Sequence, residues 1–111
     1  MTRTTTTILL LALAAAPALA AAGQGPATIN LKELFTVEGS KKAVIFPHHQ
    51  HQEKSPCDSC HRSAKGGDAL RVTIEVRSGF KNDFHQKLCW PCHIEKEVPA
   101  GKSCATCHNG P

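Results

Sequence analysis

Three runs of Cys-x-x-Cys-His lie in the second half of this chain, Cys57 to His61, Cys89 to His93 and Cys104 to His108, and together they use all six of its cysteines. No other feature limits the fold so sharply, because this is the attachment pattern of c-type haem. Two thiols three positions apart can each form a thioether with a vinyl group of one porphyrin, and the histidine that follows is then held against the iron. Cys57 and Cys60, Cys89 and Cys92, and Cys104 and Cys107 are therefore expected to carry three covalently attached haem c groups. His61, His93 and His108 are the first axial ligands on this reading. Paired cysteines also build zinc sites, and six cysteines in a short exported chain could form a disulfide framework. Neither alternative needs a histidine after every second cysteine.

The amino terminus reads as a leader. Met1-Thr2-Arg3 is followed by an apolar stretch over 8–16 and then by Pro17-Ala18-Leu19-Ala20-Ala21. A basic start, a short apolar core and an Ala-x-Ala exit describe a secretory signal peptide. Residues 1–20 are assigned to it, with cleavage as late as 22, which leaves 21–111 as one domain. The apolar core is shorter than the roughly 20 residues a membrane helix needs, so the mature chain is expected not to span a membrane. Export to the periplasm agrees with the motifs, since bacteria attach haem to them outside the cytoplasm.

A domain of this length is a marginal builder of its own core. The chain has four Phe, one Trp and no Tyr, and no segment with the pattern of a large amphipathic helix. Three covalently tied apolar plates would supply the missing interior.

Formal charge is +4, falling to +3 when Arg3 leaves with the leader. Haem propionates, offset in part by the oxidised iron centres, bring the loaded protein near neutrality. The lysines are scattered, with no basic run and no aromatic interleaving of the kind that marks a nucleic-acid surface. They read mainly as a solvated surface that can steer acidic redox partners.

Each iron has a second face. Methionine is excluded, because the single Met is Met1, and the cysteines are committed. Histidine is left, with lysine a weaker option. Outside the motifs stand His48, His49, His51 and His85, four candidates for three positions. Pro47 suits the first turn of a helix. On that helix His48 and His51 share a face at about 60° separation, whereas His49 sits about 100° from His48. His48 and His51 are thus the expected pair and His49 the spare, the alternative to His48 in the same turn. His85 lies on a short tether before Cys89.

Phe46-Pro47-His48-His49-Gln50-His51, followed by a first haem motif, and a later His shortly before another motif, resembles the class III cytochromes c. Within that family the chain is similar to the triheme periplasmic carriers called cytochrome c7, relatives of the tetraheme cytochromes c3. The likeness covers roughly residues 43–110. It implies a small multihaem cytochrome c with little regular secondary structure: a short N-terminal β-hairpin plus short helices wrapped around three covalently bound haems. It also implies a ligand map in which His48 serves the first haem with His61, His51 reaches the last haem with His108, and His85 serves the middle haem with His93. Two features depart from the family pattern: the gap between His61 and His85 is long, and His49 has no counterpart.

Residues 28–46 look like two short strands, or a strand and turn, around Glu38-Gly39-Ser40. A short helix is predicted to start at Pro47 and to end before Pro56. Leu70 to Val76 alternates, with Val72, Ile74 and Val76 on one side, and predicts a half-buried strand. Phe46, Phe80, Phe84 and Trp90 lie near motifs or ligands and are expected to pack on porphyrin.

With His on both faces an iron offers no open position, which points to electron transfer at low potential rather than catalysis. No nucleophile constellation, acid/base pair or phosphate loop indicates an enzyme. The resemblance implies a monomeric periplasmic shuttle. Its donors would be a quinol-oxidising membrane complex or a hydrogenase, and its acceptors a terminal reductase or an outer-membrane cytochrome. The rival reading is a haem protein with one open iron for small-molecule catalysis or sensing, which requires one of His48, His51 or His85 not to bind.

Overall fold

A computed structural model describes residues 23–77 and 79–111. The signal peptide assigned to 1–20, with its cleavage point, lies outside the described residues.

The hairpin is present and minimal. Strand β1 (Ile29–Asn30) pairs antiparallel with β2 (Ile45–Phe46), Ile29 opposite Phe46 and Asn30 opposite Ile45. Between them the chain makes one helical turn, α1 (Leu31–Leu34). Asn30 starts that turn because its side chain accepts from the Lys32 and Glu33 N–H groups, while its amide donates to Glu33 at 2.9 Å. This satisfies donors that a helix start leaves orphaned. The carboxyl end docks on the same hairpin: Gly110 N–H donates to the Ala43 carbonyl at 2.9 Å.

Helix α2 (His48–Gln52) follows Pro47 directly, where the fixed φ of proline and its missing N–H cost a helix nothing. The segment 23–27 lies along it. His49 N–H donates to the Ala27 carbonyl, Gln52 donates to the Gln24 carbonyl, and Gly23 N–H returns to the Gln52 side chain.

The expected strand over 70–76 does not form. Val72 and Ile74 are half-buried between exposed neighbours, so the alternation does sort the side chains. Pairing stops at an isolated bridge between His61 and Leu70, made by Arg71 N–H to the Cys60 carbonyl at 2.8 Å and Arg62 N–H to the Ala69 carbonyl at 3.0 Å. Beyond it no ladder continues among the described residues, and Glu75 N–H goes to the Asp83 carboxylate at 2.8 Å.

One helical run is longer than the sequence suggests. Phe84–Cys89 is π-helical and continues without a break into α3 (Trp90–Glu95). Pro91 explains the widening. It has no N–H for the preceding turn, and its ring clashes with the carbonyl four residues back, so Trp90 N–H bonds to His85 rather than to Gln86. Helix α3 ends in a Schellman turn, Val98 N–H to His93 O and Glu97 N–H to Ile94 O. A last turn, α4 (Cys104–Cys107), carries the third motif.

Among the described residues the only buried hydrophobic side chain is Ala43, and no large side chain is fully buried. Phe80 and Leu34 are 71% and 63% exposed. These elements do not close on an apolar centre of their own.

Candidate haem-binding site

Each motif sits on a short helical element: Cys57–Ser59 is a 3₁₀ turn, Cys89 and Cys92 straddle the junction of the π-turn with α3, and Cys104–Cys107 is α4. A single turn brings two thiols three apart onto one side. No disulfide joins any of the six cysteines. Burial pushes the Cys89 thiol up to about 12, and Cys107, Cys60 and Cys92 nearby add to the rise. Burial also raises Cys60 and Cys107. One cysteine of each motif, Cys60, Cys89 and Cys107, is thus partly withdrawn from solvent, while Cys104 is exposed. Among the described residues no three His, Cys, Asp or Glu side chains converge to hold a bare metal ion, as a zinc site would require.

The histidine rings are oriented by main-chain carbonyls. Nδ1 donates to the Pro26 carbonyl in His48 (2.8 Å), to Pro47 in His51 (3.0 Å), to Gly101 in His93 (2.7 Å) and to Lys42 in His108 (2.7 Å). A proton fixed on Nδ1 leaves the Nε2 lone pair free, the tautomer a metal ligand needs. His49 is the reverse: its Nε2 is tied to the Gly25 carbonyl at 3.0 Å. His61 and His85 have buried Nδ1 atoms without a hydrogen-bond partner. Burial pushes the His85 imidazole down, with the nearby His108 adding to this. The Gly79 carbonyl opposes the shift without reaching hydrogen-bond geometry at Nδ1.

Six of the rings fall into three pairs, each used once. Ring centres are 6.3 Å apart for His48 and His61, 6.1 Å for His51 and His93, and 6.3 Å for His85 and His108. Two nitrogens bound about 2 Å either side of one metal, with each ring centre about 1 Å further out, give a separation of about 6 Å. The same spacing separates His48 from His49, 6.2 Å, but those two are consecutive on α2 and His49 Nε2 is occupied.

The pairing departs from the map the sequence implied. His51 lies against His93 rather than His108, and His85 against His108 rather than His93. The uninterrupted helical run is the reason. His85 and His93 stand eight residues apart on it, about 10–12 Å along the axis. A helix cannot fold back to set these two rings about 6 Å apart, and the His85 ring lies against His108 instead.

Aromatic side chains support the rings. Phe46 packs on His51 with centres 4.3 Å apart, and Trp90 stacks on His85 at 4.5 Å and 16°. Lys102 Nζ lies 4.9 Å from the Trp90 ring centre. Phe84 meets Phe35 edge-on at 4.8 Å, tying the hairpin to the helix that carries His85. Asp83, buried just before that helix, accepts from Glu75 N–H and from Lys87 at 2.9 Å. These two donors hold its carboxyl below the usual range. Sequence reading missed Asp83, the orienting carbonyls and Gly101. Gly101 is buried where a Cβ would stand 2.9 Å from His93 Cβ.

A chain that leaves its interior to a prosthetic group, and aims cysteines and free imidazole nitrogens into it, is a multihaem c-type cytochrome. Comparison with known proteins narrows the class. The chain is 32% identical over 76 residues to a cytochrome c3 from Desulfuromonas acetoxidans, an alignment spanning 68% of this chain and 96% of that protein. It belongs to the cytochrome c3 family of class III multihaem cytochromes. No family model matches it, and no solved structure does.

Proposed function

We propose that the chain is a triheme member of its family, of the cytochrome c7 kind, and works as a low-potential electron carrier. Haem c, when bound, supplies an iron that takes up and returns one electron. Cys57 and Cys60, Cys89 and Cys92, and Cys104 and Cys107 would tether one group each. His48 with His61, His51 with His93, and His85 with His108 would supply the iron ligands. The observation that carries this reading is the set of three non-overlapping histidine pairs, each containing one motif histidine, at 6.1–6.3 Å.

Orientation is the main work of the protein. Carbonyls of Pro26, Pro47, Gly101 and Lys42 hold four imidazoles in the tautomer that presents Nε2, and a ligand so oriented is also more basic. The bond from His49 Nε2 to Gly25 supports His48 as the ligand from that turn. Imidazole on both faces keeps substrates and water from the irons and, with no methionine in reach, favours low potentials. Every element of this arrangement suits electron transfer.

Among the described residues no helix is long and apolar enough to cross a membrane. Together with the leader read over 1–20, this supports a periplasmic carrier between a membrane or hydrogenase donor and a terminal reductase or outer-membrane cytochrome. The test is a haem count per chain and the optical spectrum of the dithionite-reduced holoprotein before and after CO. Three haems and an unchanged low-spin spectrum are expected. A CO shift in about one third of the haem would mean one open iron and would replace this reading with the catalytic or sensory one.

A further inference from the structure

We infer that, of the three haems, the one held between His51 and His93 is the last to accept an electron as the protein is reduced. The inference rests on the ligand pairs proposed above and goes beyond them. It ranks the sites by what surrounds the outer nitrogen of each imidazole.

Six ring nitrogens point away from the irons, and the chain treats them unequally. In the pair His51 and His93 both Nδ1 atoms donate to main-chain carbonyls, of Pro47 at 3.0 Å and Gly101 at 2.7 Å. Each of the other pairs has one bonded and one orphan nitrogen. His48 is bonded while His61 is not, and His108 is bonded while His85 is not. The two sets also differ in setting. The bonds from His51 and His93 are partly buried, whereas those from His48 and His108 lie in exposed positions, where water competes for the same groups.

A carbonyl oxygen on Nδ1–H draws the proton outward and leaves more electron density on Nε2, making the ligand more basic. A more basic ligand favours the ferric state, so hydrogen bonding to the ligands is one of the levers that lower a haem potential. Two sheltered carbonyls bond to the ligands of the middle site and one water-exposed carbonyl to those of each other site, while the Gly79 carbonyl near His85 does not reach hydrogen-bond geometry at Nδ1. Partial burial on its own would disfavour the ferric charge and work the other way. The two carbonyl dipoles offset it, because they are fixed, point their negative ends at the ligands and act at hydrogen-bond range. Each outer site has only one such carbonyl, in an exposed position. His85 moreover stacks on Trp90, beside which Lys102 places a positive charge.

The test uses intact holoprotein, reduced stepwise with substoichiometric dithionite under argon, each iron passing from ferric to ferrous with one electron and both nitrogen ligands kept. Haem methyl resonances are followed by exchange NMR, and each haem is assigned to its histidines through contacts to the imidazole protons. The methyls of the haem in contact with His51 and His93 are expected to hold their ferric positions until the other two sets have moved. If that set moves first or second while its contacts still run to His51 and His93, the ranking is wrong and the ligand pairs stand. If His51 and His93 contact different haems, the ligand reading itself fails. In the fully reduced protein the Nδ1–H signals of His51 and His93 should be downfield and slow to exchange. Equal behaviour at His61 and His85 would remove the basis of the ranking.

Discussion

Gly101→Ala tests how tightly the loop after α3 is fitted to the His93 ring. The glycine lies outside the positive-φ set, so alanine meets no backbone penalty there and any effect is steric. The new methyl would stand 2.9 Å from His93 Cβ, 2.9 Å from His93 Nδ1 and 3.0 Å from Val98 Cβ. Two of these atoms are Cβ atoms fixed by the Schellman turn, so neither can swing aside as a flexible chain end would. Overpacking of this kind costs about 1–3 kcal/mol. If the loop also yields in part, the His93 bond to the Gly101 carbonyl is lost as well, a further 0.5–1.5 kcal/mol or so. The expected destabilisation is about 2–4 kcal/mol, a fall of roughly 10 °C or more in Tm for a domain of this size. Gly66→Ala is the control, because Gly66 has φ +82° and no atom within 4 Å of the added carbon, leaving only the left-handed backbone cost of about 1–2 kcal/mol. Melts of the two holoproteins, followed at the Soret band, should rank Gly101→Ala well below Gly66→Ala. Only the former should gain a CO-reactive fraction. A Gly101→Ala protein melting within about 2 °C of the parent would refute the argument, since two sub-3 Å contacts in a rigid site cannot be that cheap.

Three further outcomes are expected. Glu97 takes the left-handed position of the Schellman turn at φ 51°, so Glu97→Gly should raise Tm by several degrees, about 1 kcal/mol of relieved strain, in a thermal melt of the holoprotein. His49→Ala should leave the reduced spectrum low-spin and silent to CO, losing at most about 1 kcal/mol from its bond to Gly25, whereas His48→Ala should open one iron to CO; a CO-reactive His49→Ala protein would reverse the assignment. Chain prepared without haem should show no cooperative melt by far-UV circular dichroism, because Ala43 is the only hydrophobic side chain buried by the described residues. A sharp transition there would mean that the chain has a core of its own.

What the sequence makes legible follows from how local each feature is. The haem motifs, the hairpin around residues 28–46 and the helix after Pro47 are set by neighbours within a few positions, and all three can be read directly. The strand expected over 70–76 depends on a partner that only the fold can supply. Its alternation was real, but pairing ends at the single His61–Leu70 bridge, and the Asp83 carboxylate takes the Glu75 donor that a longer ladder would have used. The orienting carbonyls were invisible for a plainer reason: every residue has one, and nothing in Lys42 or Pro26 marks its oxygen as the one that meets a histidine.

The exchanged partners of His51 and His85 show where local reasoning could have gone further. Assigning His85 to the motif only four residues ahead treats the intervening chain as a flexible tether. Phe84-His85-Gln86-Lys87-Leu88-Cys89 contains no glycine or proline, and Pro91 stands where a new helical segment can begin. Read as helix, the stretch fixes His85 and His93 about 10–12 Å apart along one axis, too far to share an iron. On the proposed reading His85 then serves a group tethered elsewhere, and the middle group takes its second ligand from α2. His48 is held towards the first motif by the 23–27 segment, with its ring 6.3 Å from His61, so His51, one turn on, is left for His93. On the proposed ligand pairs one rigid helix thus forces the interleaving: the His51–His93 and His85–His108 pairs each join elements well separated in sequence, so haems held between them would add long-range links that the small apolar core does not supply.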